Sequence, residues 1–163
     1  MDWGLFLELA VNGALAGLMY SLVALGIVLI YKSSSVPNLA QGAMTMLGAY
    51  VVLEVARYLH APIWVAIPIA MLLMFGVGMG IERVALRRLA GRPIIMILMM
   101  TLGLDIFLRG TVLTIWGGSG RPMPIGISDD PLFLGSILVN RNYAVGAAVA
   151  LALFGAFVLF FRT

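Results

Sequence analysis

An acid and a base stand four residues apart inside an apolar run: Asp105 and Arg109, near the centre of the stretch from Pro93 to Trp116. An ionised carboxylate at the middle of a membrane helix costs about 2.5–3.5 kcal/mol on insertion scales, so Asp105 needs a partner or a proton. Arg109 follows in the favourable acid-before-base order for an i, i+4 pair, and its long stem also lets it snorkel toward the outer surface. Two chemistries are open for these residues. One is a self-compensating ion pair inside a bundle; the other is a proton relay or a seat for a substrate ammonium group.

A second polar group interrupts an earlier run, Val36 to Leu53, with Pro37, Asn38, Gln41, Gly42, Thr45 and Gly48. On one continuous helix Asn38, Gln41, Thr45 and Gly48 fall at i, i+3, i+7 and i+10, a polar and small stripe opposite Leu39, Met46 and Leu47. Such a stripe has to face protein or water. Pro37 is tolerated in a first helical turn, so the span either starts there or is partly unwound between Ser33 and Gly42. Spans broken by Gly and Pro at membrane depth tend to line a substrate path, while amides can equally well bond neighbouring helices. Asn38, Gln41, Gly42 and Thr45 are therefore the candidate pathway residues.

Other chemistry is thin. His60 has no second ligand at useful spacing, and with no cysteine in the chain nothing predicts a metal site or a disulfide. Gly117-Gly118-Ser119-Gly120 lacks the Gly-Lys-Ser/Thr ending of a phosphate loop. No nucleophile, base and orienting group come together, so no enzyme activity and no cofactor are expected.

The elements that must position these residues follow from composition. With 63% hydrophobic and 10% charged residues, the chain cannot cover one core with a wettable surface, and lipid must be its outer solvent. Backbone groups in lipid need internal partners, and unbroken apolar runs without alternation select helices over a barrel. The expected fold is an all-α, polytopic transmembrane bundle of about five spans: Leu9 to Tyr31, Val36 to Leu53, Pro62 to Ile81, Pro93 to Trp116 and Tyr143 to Phe161. Each is close to the roughly 20 residues that a bilayer requires. The N-terminal Met1-Asp2-Trp3 is acidic where a secretory signal is basic, so the first run reads as a retained helix.

Charge between the spans predicts orientation. Arg83, Arg87, Arg88 and Arg92 against Glu82 alone place the loop from Glu82 to Arg92 in the cytoplasm. The Lys32-Ser33-Ser34-Ser35 link and Arg162 then fall inside, while Asp2, Glu8 and the segment from Gly117 to Asn142 fall outside. That segment balances Arg121 and Arg141 against Asp129 and Asp130 and reads as an irregular cap of turns or a solvated linker. Topology thus accounts for the net charge of +3 without nucleic acid. Ala144, Ala148, Ala152 and Ala156 give the fifth span a nearly flat face, and Gly13 with Gly17 and Gly76 with Gly80 repeat the spacing. Close packing inside the bundle or a dimer face would use them.

Tyr31-Lys32-Ser33-Ser34 followed by Asn38-Leu39-Ala40-Gln41-Gly42-Ala43-Met44 and Leu47-Gly48-Ala49-Tyr50 resembles the signature of the branched-chain amino acid ABC transporter permease family, whose second helix carries Asn-Phe/Leu-Ala-His/Gln-Gly. The run from Gly17 to Gly26 resembles that family's first helix. Glu82-Arg83-Val84-Ala85, Arg87-Arg88-Leu89 and Thr101-Leu102-Gly103-Leu104 resemble its cytoplasmic loop and fourth helix. Asp105 departs from the pattern, where a neutral small or polar residue is expected. The resemblance implies a transmembrane subunit of a bacterial inner-membrane importer, paired with a second permease, cytoplasmic ATPase subunits and a periplasmic solute-binding protein. The substrate would be a branched-chain or related small amino acid or amide. It also implies one permease domain over residues 1–163, cut before the ATPase-coupling loop near Arg162-Thr163. Two rivals stand beside it: a secondary transporter or channel using Asp105 and the polar second span, and a membrane anchor or assembly subunit.

Overall fold

In the computed structural model, residues 3–60, 62–89, 91–119, 132–134, 137–139 and 141–162 are described. Asp2, Gly120, Arg121, Asp129, Asp130 and Thr163 lie outside them. The described chain forms five long helices and one short hairpin: α1 (Trp3–Ser34), α2 (Gln41–Tyr58), α3 (Ile63–Ile81), α4 (Ile94–Trp116), β1 (Leu132–Leu134), β2 (Ile137–Val139) and α5 (Arg141–Arg162). Helices α1, α3, α4 and α5 are each long and apolar enough to cross a bilayer. α2 does not meet that test, since Gln41, Thr45, Glu54 and Arg57 dilute its apolar residues. The expected polytopic helical architecture is present, with four rather than five self-sufficient spans.

α1 is longer than expected at both ends. Its 32 residues rise about 48 Å, well beyond a hydrocarbon core of about 30 Å. The predicted Lys32 to Ser35 link is mostly the last turn of this helix, which stops where Ser35 takes a φ of 57°. Left-handed backbone is unfavourable for a residue with a Cβ, and here the Ser35 amide still donates to the Tyr31 carbonyl at 2.7 Å. Two polar side chains along α1 bond to their own helix. Asn12 Nδ2 donates to the Glu8 carbonyl at 3.0 Å and Ser21 Oγ to the Leu18 carbonyl at 2.6 Å.

The described chain divides into two compact units, Ile27–Ile125 and Met1–Gly26 with Gly126–Thr163. In the first, α2 packs against both α3 and α4. Its core joins Ala43 and Leu47 of α2 to Leu108 and Val112 of α4. Gly48 turns toward α3, where an added Cβ would meet Met74 Cγ at 3.8 Å. α3 does not stop in a loop after Ile81. It runs on as a π-helical turn, Glu82–Leu86, and a 3-10 turn, Arg87–Leu89.

In the second unit β1 and β2 pair antiparallel, Leu132 with Val139 and Leu134 with Ile137. The segment expected to be irregular therefore contains a hairpin, and Arg141 opens α5 instead of belonging to the loop. The flat alanine face is placed differently from the expectation: Ala148, Ala152 and Ala156 are exposed, whereas Ala147 and Ala150 are buried. The close approach is made by Gly146, whose added Cβ would lie 2.9 Å from Met19 Sδ and Cε. Gly13, Gly17, Gly76 and Gly80 all face open space, so the described chain does not use their spacing for packing.

Candidate functional site

The non-helical stretch from Ser35 to Ala40 is built by its own residues. Ser34 Oγ accepts the Val36 amide at 3.4 Å, and its single hydroxyl hydrogen has the Ile30 carbonyl at 2.8 Å and the Val36 carbonyl at 3.0 Å as alternative acceptors. Pro37 has no amide to satisfy. Asn38 folds its side chain back, with Oδ1 accepting the Ala40 amide at 3.0 Å and its carbonyl accepting the Gln41 amide at 3.3 Å. Asparagine is favoured in such a turn because its side chain mimics a backbone acceptor two residues on. Asn38 thus lies before α2, not on it, and one continuous stripe from Asn38 to Gly48 does not form. The unwinding considered between Ser33 and Gly42 is the arrangement found, confined to residues 35–40.

The pathway candidates consequently separate. Gln41 is half-buried at the first position of α2, and no hydrogen bond from its side-chain amide occurs among the described residues. Thr45, one turn on, is exposed and donates its hydroxyl to the Gln41 carbonyl at 2.9 Å. Gly42 points another way, toward α4, where an added Cβ would sit 3.5 Å from Arg109 Nη2. Leu47, expected on the side facing away from the stripe, is part of the packed core.

On α4 the predicted ion pair is present: Arg109 Nε donates to Asp105 Oδ2 at 2.7 Å. The Asp105 side chain keeps 19% of its surface and Arg109 keeps 51%, so the acid is sheltered and the base open. Because Nε makes the bond, the Nη side of the guanidinium fork stays directed at the first turn of α2. The other carboxylate oxygen, Asp105 Oδ1, is buried without a hydrogen-bond partner among the described residues. Leaving such an acceptor unmade costs about 1–3 kcal/mol.

The depth of these groups follows from the pairing of α2 with α4. Asp105 is the midpoint of α4, Ile94–Trp116, and Arg109 is one turn further, about 6 Å along the axis. Gly42, the second residue of α2, lies beside Arg109. Farther along, Trp116 Nε1 donates to Glu54 Oε1 at 3.0 Å, and the Tyr50 and Trp116 rings stand 5.3 Å apart at 35°. The two helices therefore run in the same direction, and α2 begins beside the middle of α4 rather than beside its start. The polar break enters the bundle at that level.

Glu54, Tyr50 and Trp116 were not among the expected site residues. Glu54 falls one residue past the predicted end of its span at Leu53, and its partner sits 62 residues away. Spacing within one helix carries no signal for such a contact. The four arginines keep their predicted segment, but Arg87 Nη2 is paired with Glu82 Oε1 at 3.3 Å, while Arg83, Arg88 and Arg92 are exposed and make no ion pair among the described residues. His60 occupies the turn after α2 with a φ of 48°, and no cluster fit for a metal occurs among the described residues.

Apolar helices of spanning length, with a polar interruption and an ion pair beside the middle of one of them, define a polytopic membrane protein. Residues 9–163 match the family model described as "Branched-chain amino acid transport system / permease component", and the chain belongs to that family. It is a multi-pass inner-membrane protein. The high-affinity branched-chain amino acid transport system permease protein BraD of Pseudomonas aeruginosa is 29% identical over 127 residues, covering 73% of this chain and 41% of that protein. The corresponding permease proteins LivH of Salmonella typhimurium and of Escherichia coli K12 are each 27% identical over 152 residues, covering 88% of this chain and 47% of theirs. The chain thus spans less than half the length of these relatives. No solved structure gives a significant match. The family resemblance carried by the residues around Asn38 to Gly42 is borne out.

Proposed function

We propose that this chain forms part of the translocation path of an ATP-driven importer for branched-chain or related small amino acids and amides. It would act with a second permease subunit, cytoplasmic ATPase subunits and a periplasmic solute-binding protein, and would supply the path rather than the energy. The observation that carries the reading is the start of α2 beside the middle of α4, behind a Ser-Pro-Asn break. A helix beginning at mid-depth presents its positive dipole end and first amides there, an arrangement that suits the carboxylate of an amino acid. No side chain caps α2, and Arg109 adds cationic charge beside Gly42. Gln41 supplies an amide for the substrate's polar end, and Asn38 fixes the turn that aims the helix. Gly42 leaves room for the guanidinium, and Thr45 continues the exposed face. Membrane topology would place Trp3 outside and the arginine segment in the cytoplasm.

The test is uptake by an intact transporter carrying Asn38→Ala or Gln41→Ala. Each is expected to reduce uptake about tenfold, the effect of losing about 1.4 kcal/mol of polar contact. If both leave uptake unchanged at normal membrane levels of the protein, the path lies elsewhere. The rival in which Asp105 relays a proton is favoured by its buried, unpartnered Oδ1. Asp105→Asn separates the two: an importer path keeps the same pH dependence of uptake, whereas a relay loses about 100-fold or more.

A further inference from the structure

We propose that the connection between α3 and α4 is a binding site for the headgroup of an anionic phospholipid. The 19 residues of α3 rise about 28 Å, close to the thickness of the hydrocarbon core. With Ile63 at one edge of the core, Glu82 would stand where the headgroups begin at the other. From there the helix widens into a π-turn, and that widening has a consequence for charge. In an α-helix residues i and i+5 point well apart, but a π-turn, with its i to i+5 bonding, brings them together. Glu82 and Arg87 are such a pair, joined at 3.3 Å, and the Arg87 amide donates to the Glu82 carbonyl. The only acid of the segment is thereby consumed by one arginine. Arg83, Arg88 and Arg92 remain exposed, with no ion pair among the described residues.

Exposed apolar side chains flank these cations: Val84 on the π-turn and Ile94, Ile95 and Met96 at the start of α4. A turn at Arg92 ties the two ends, its amide donating to the Leu89 carbonyl at 3.0 Å, with Gly91 at a φ of 83°. Guanidinium groups beside apolar side chains match a phosphate with acyl chains below it. Val84, Ile94 and Ile95 continue the exposed apolar surface of the adjoining spans, along which the acyl chains of a bound lipid would lie. Anionic lipid is thus the occupant the surface fits.

Native mass spectrometry of the full chain in micelles containing equal phosphatidylglycerol and phosphatidylcholine tests this. The wild type is expected to retain phosphatidylglycerol preferentially. Each of Arg83→Gln, Arg88→Gln and Arg92→Gln is expected to lower that preference up to about five-fold, and the triple variant by more than about ten-fold. Arg57→Gln, which removes an exposed arginine of α2, leaves it unchanged. No preference in the wild type, an unaltered preference in the triple variant, or an equal loss in Arg57→Gln would overturn the proposal. So would an intact lipid preference combined with weakened capture of the ATPase subunits, which would make the surface a protein-docking site. Should the triple variant fail to fold, a photoactivatable phosphatidylglycerol on the wild type decides. Labelling within residues 82–96 supports the site, and labelling spread over the other helices refutes it.

Discussion

α1 and α2 meet the same solvent problem in opposite ways. α1 carries Asn12 and Ser21 through an apolar helix and closes both on carbonyls of the preceding turn. None of its residues is buried. α2 is preceded by a break whose polar groups are spent on shaping a turn, and it starts beside an arginine and a carboxylate of another helix. Among the described residues, Asp105 Oδ1 is buried there without a hydrogen-bond partner, and the half-buried Gln41 side chain makes no hydrogen bond. In a medium that offers no hydrogen bonds, polarity closed within its own turn is structural. Under the proposed function, polarity left open beside another helix is where the substrate would be met.

If that contrast is right, the two helices differ sharply in tolerance to added volume. Ala43 is fully buried between α2 and α4, in contact with the cluster of Leu47, Leu108 and Val112. Ala43→Leu is expected to destabilise by about 1–3 kcal/mol through overpacking, read as a lowered thermal transition in detergent. Gly13 of α1 faces open space, so Gly13→Ala is expected to be neutral or to stabilise by up to about 1 kcal/mol through helix propensity. Equal losses from the two would mean that α1 is packed as tightly as α2, and the contrast would fail.

A smaller effect probes the far end of the α2–α4 contact. Trp116→Phe keeps a ring near Tyr50 but removes the indole donor from Glu54. Hydrogen bonds to charged groups contribute about 1.5–3 kcal/mol, and partial exposure here reduces that to about 1 kcal/mol. Glu54→Gln, which retains an acceptor, is expected to lose less, and the two losses are expected not to add in the double variant. Additive losses would show that the two side chains act separately.

What the sequence disclosed follows the range over which its signals act. The helical class, the runs of α1, α3, α4 and α5, and the Asp105–Arg109 pair were all legible because each depends on residues within a few turns. The start of α2 was placed too early because Pro37 is compatible with a first helical turn, and only the Asn38 turn decides otherwise. Gly42 and Arg109 are each singled out by the sequence, but not their approach to one another, because it joins residues far apart in the chain. The pairing of Glu54 with Trp116 is equally nonlocal. The π-turn after Ile81 left no trace in the apolar pattern, although the i, i+5 spacing of Glu82 and Arg87 is its chemical counterpart.

The least effect is expected where the spacing of small residues misled. Alanines four apart on α5 suggested a flat face, yet the close contact belongs to Gly146, between Ala144 and Ala148. The atoms an added Cβ would meet, Sδ and Cε of Met19, are the far end of a flexible side chain that repacks readily. Gly146→Ala should therefore displace Met19 rather than the backbone, with a loss below about 1 kcal/mol once the gain in helix propensity is set against it. Gly146→Ile brings a branched side chain that Met19 cannot yield to alone, and should cost clearly more. Met19→Ala in that background should restore part of the loss, because it empties the space the new side chain needs. A Gly146→Ile variant as stable as the wild type, with no response to Met19→Ala, would show that α5 does not depend on this approach and that its alanines pack by another face.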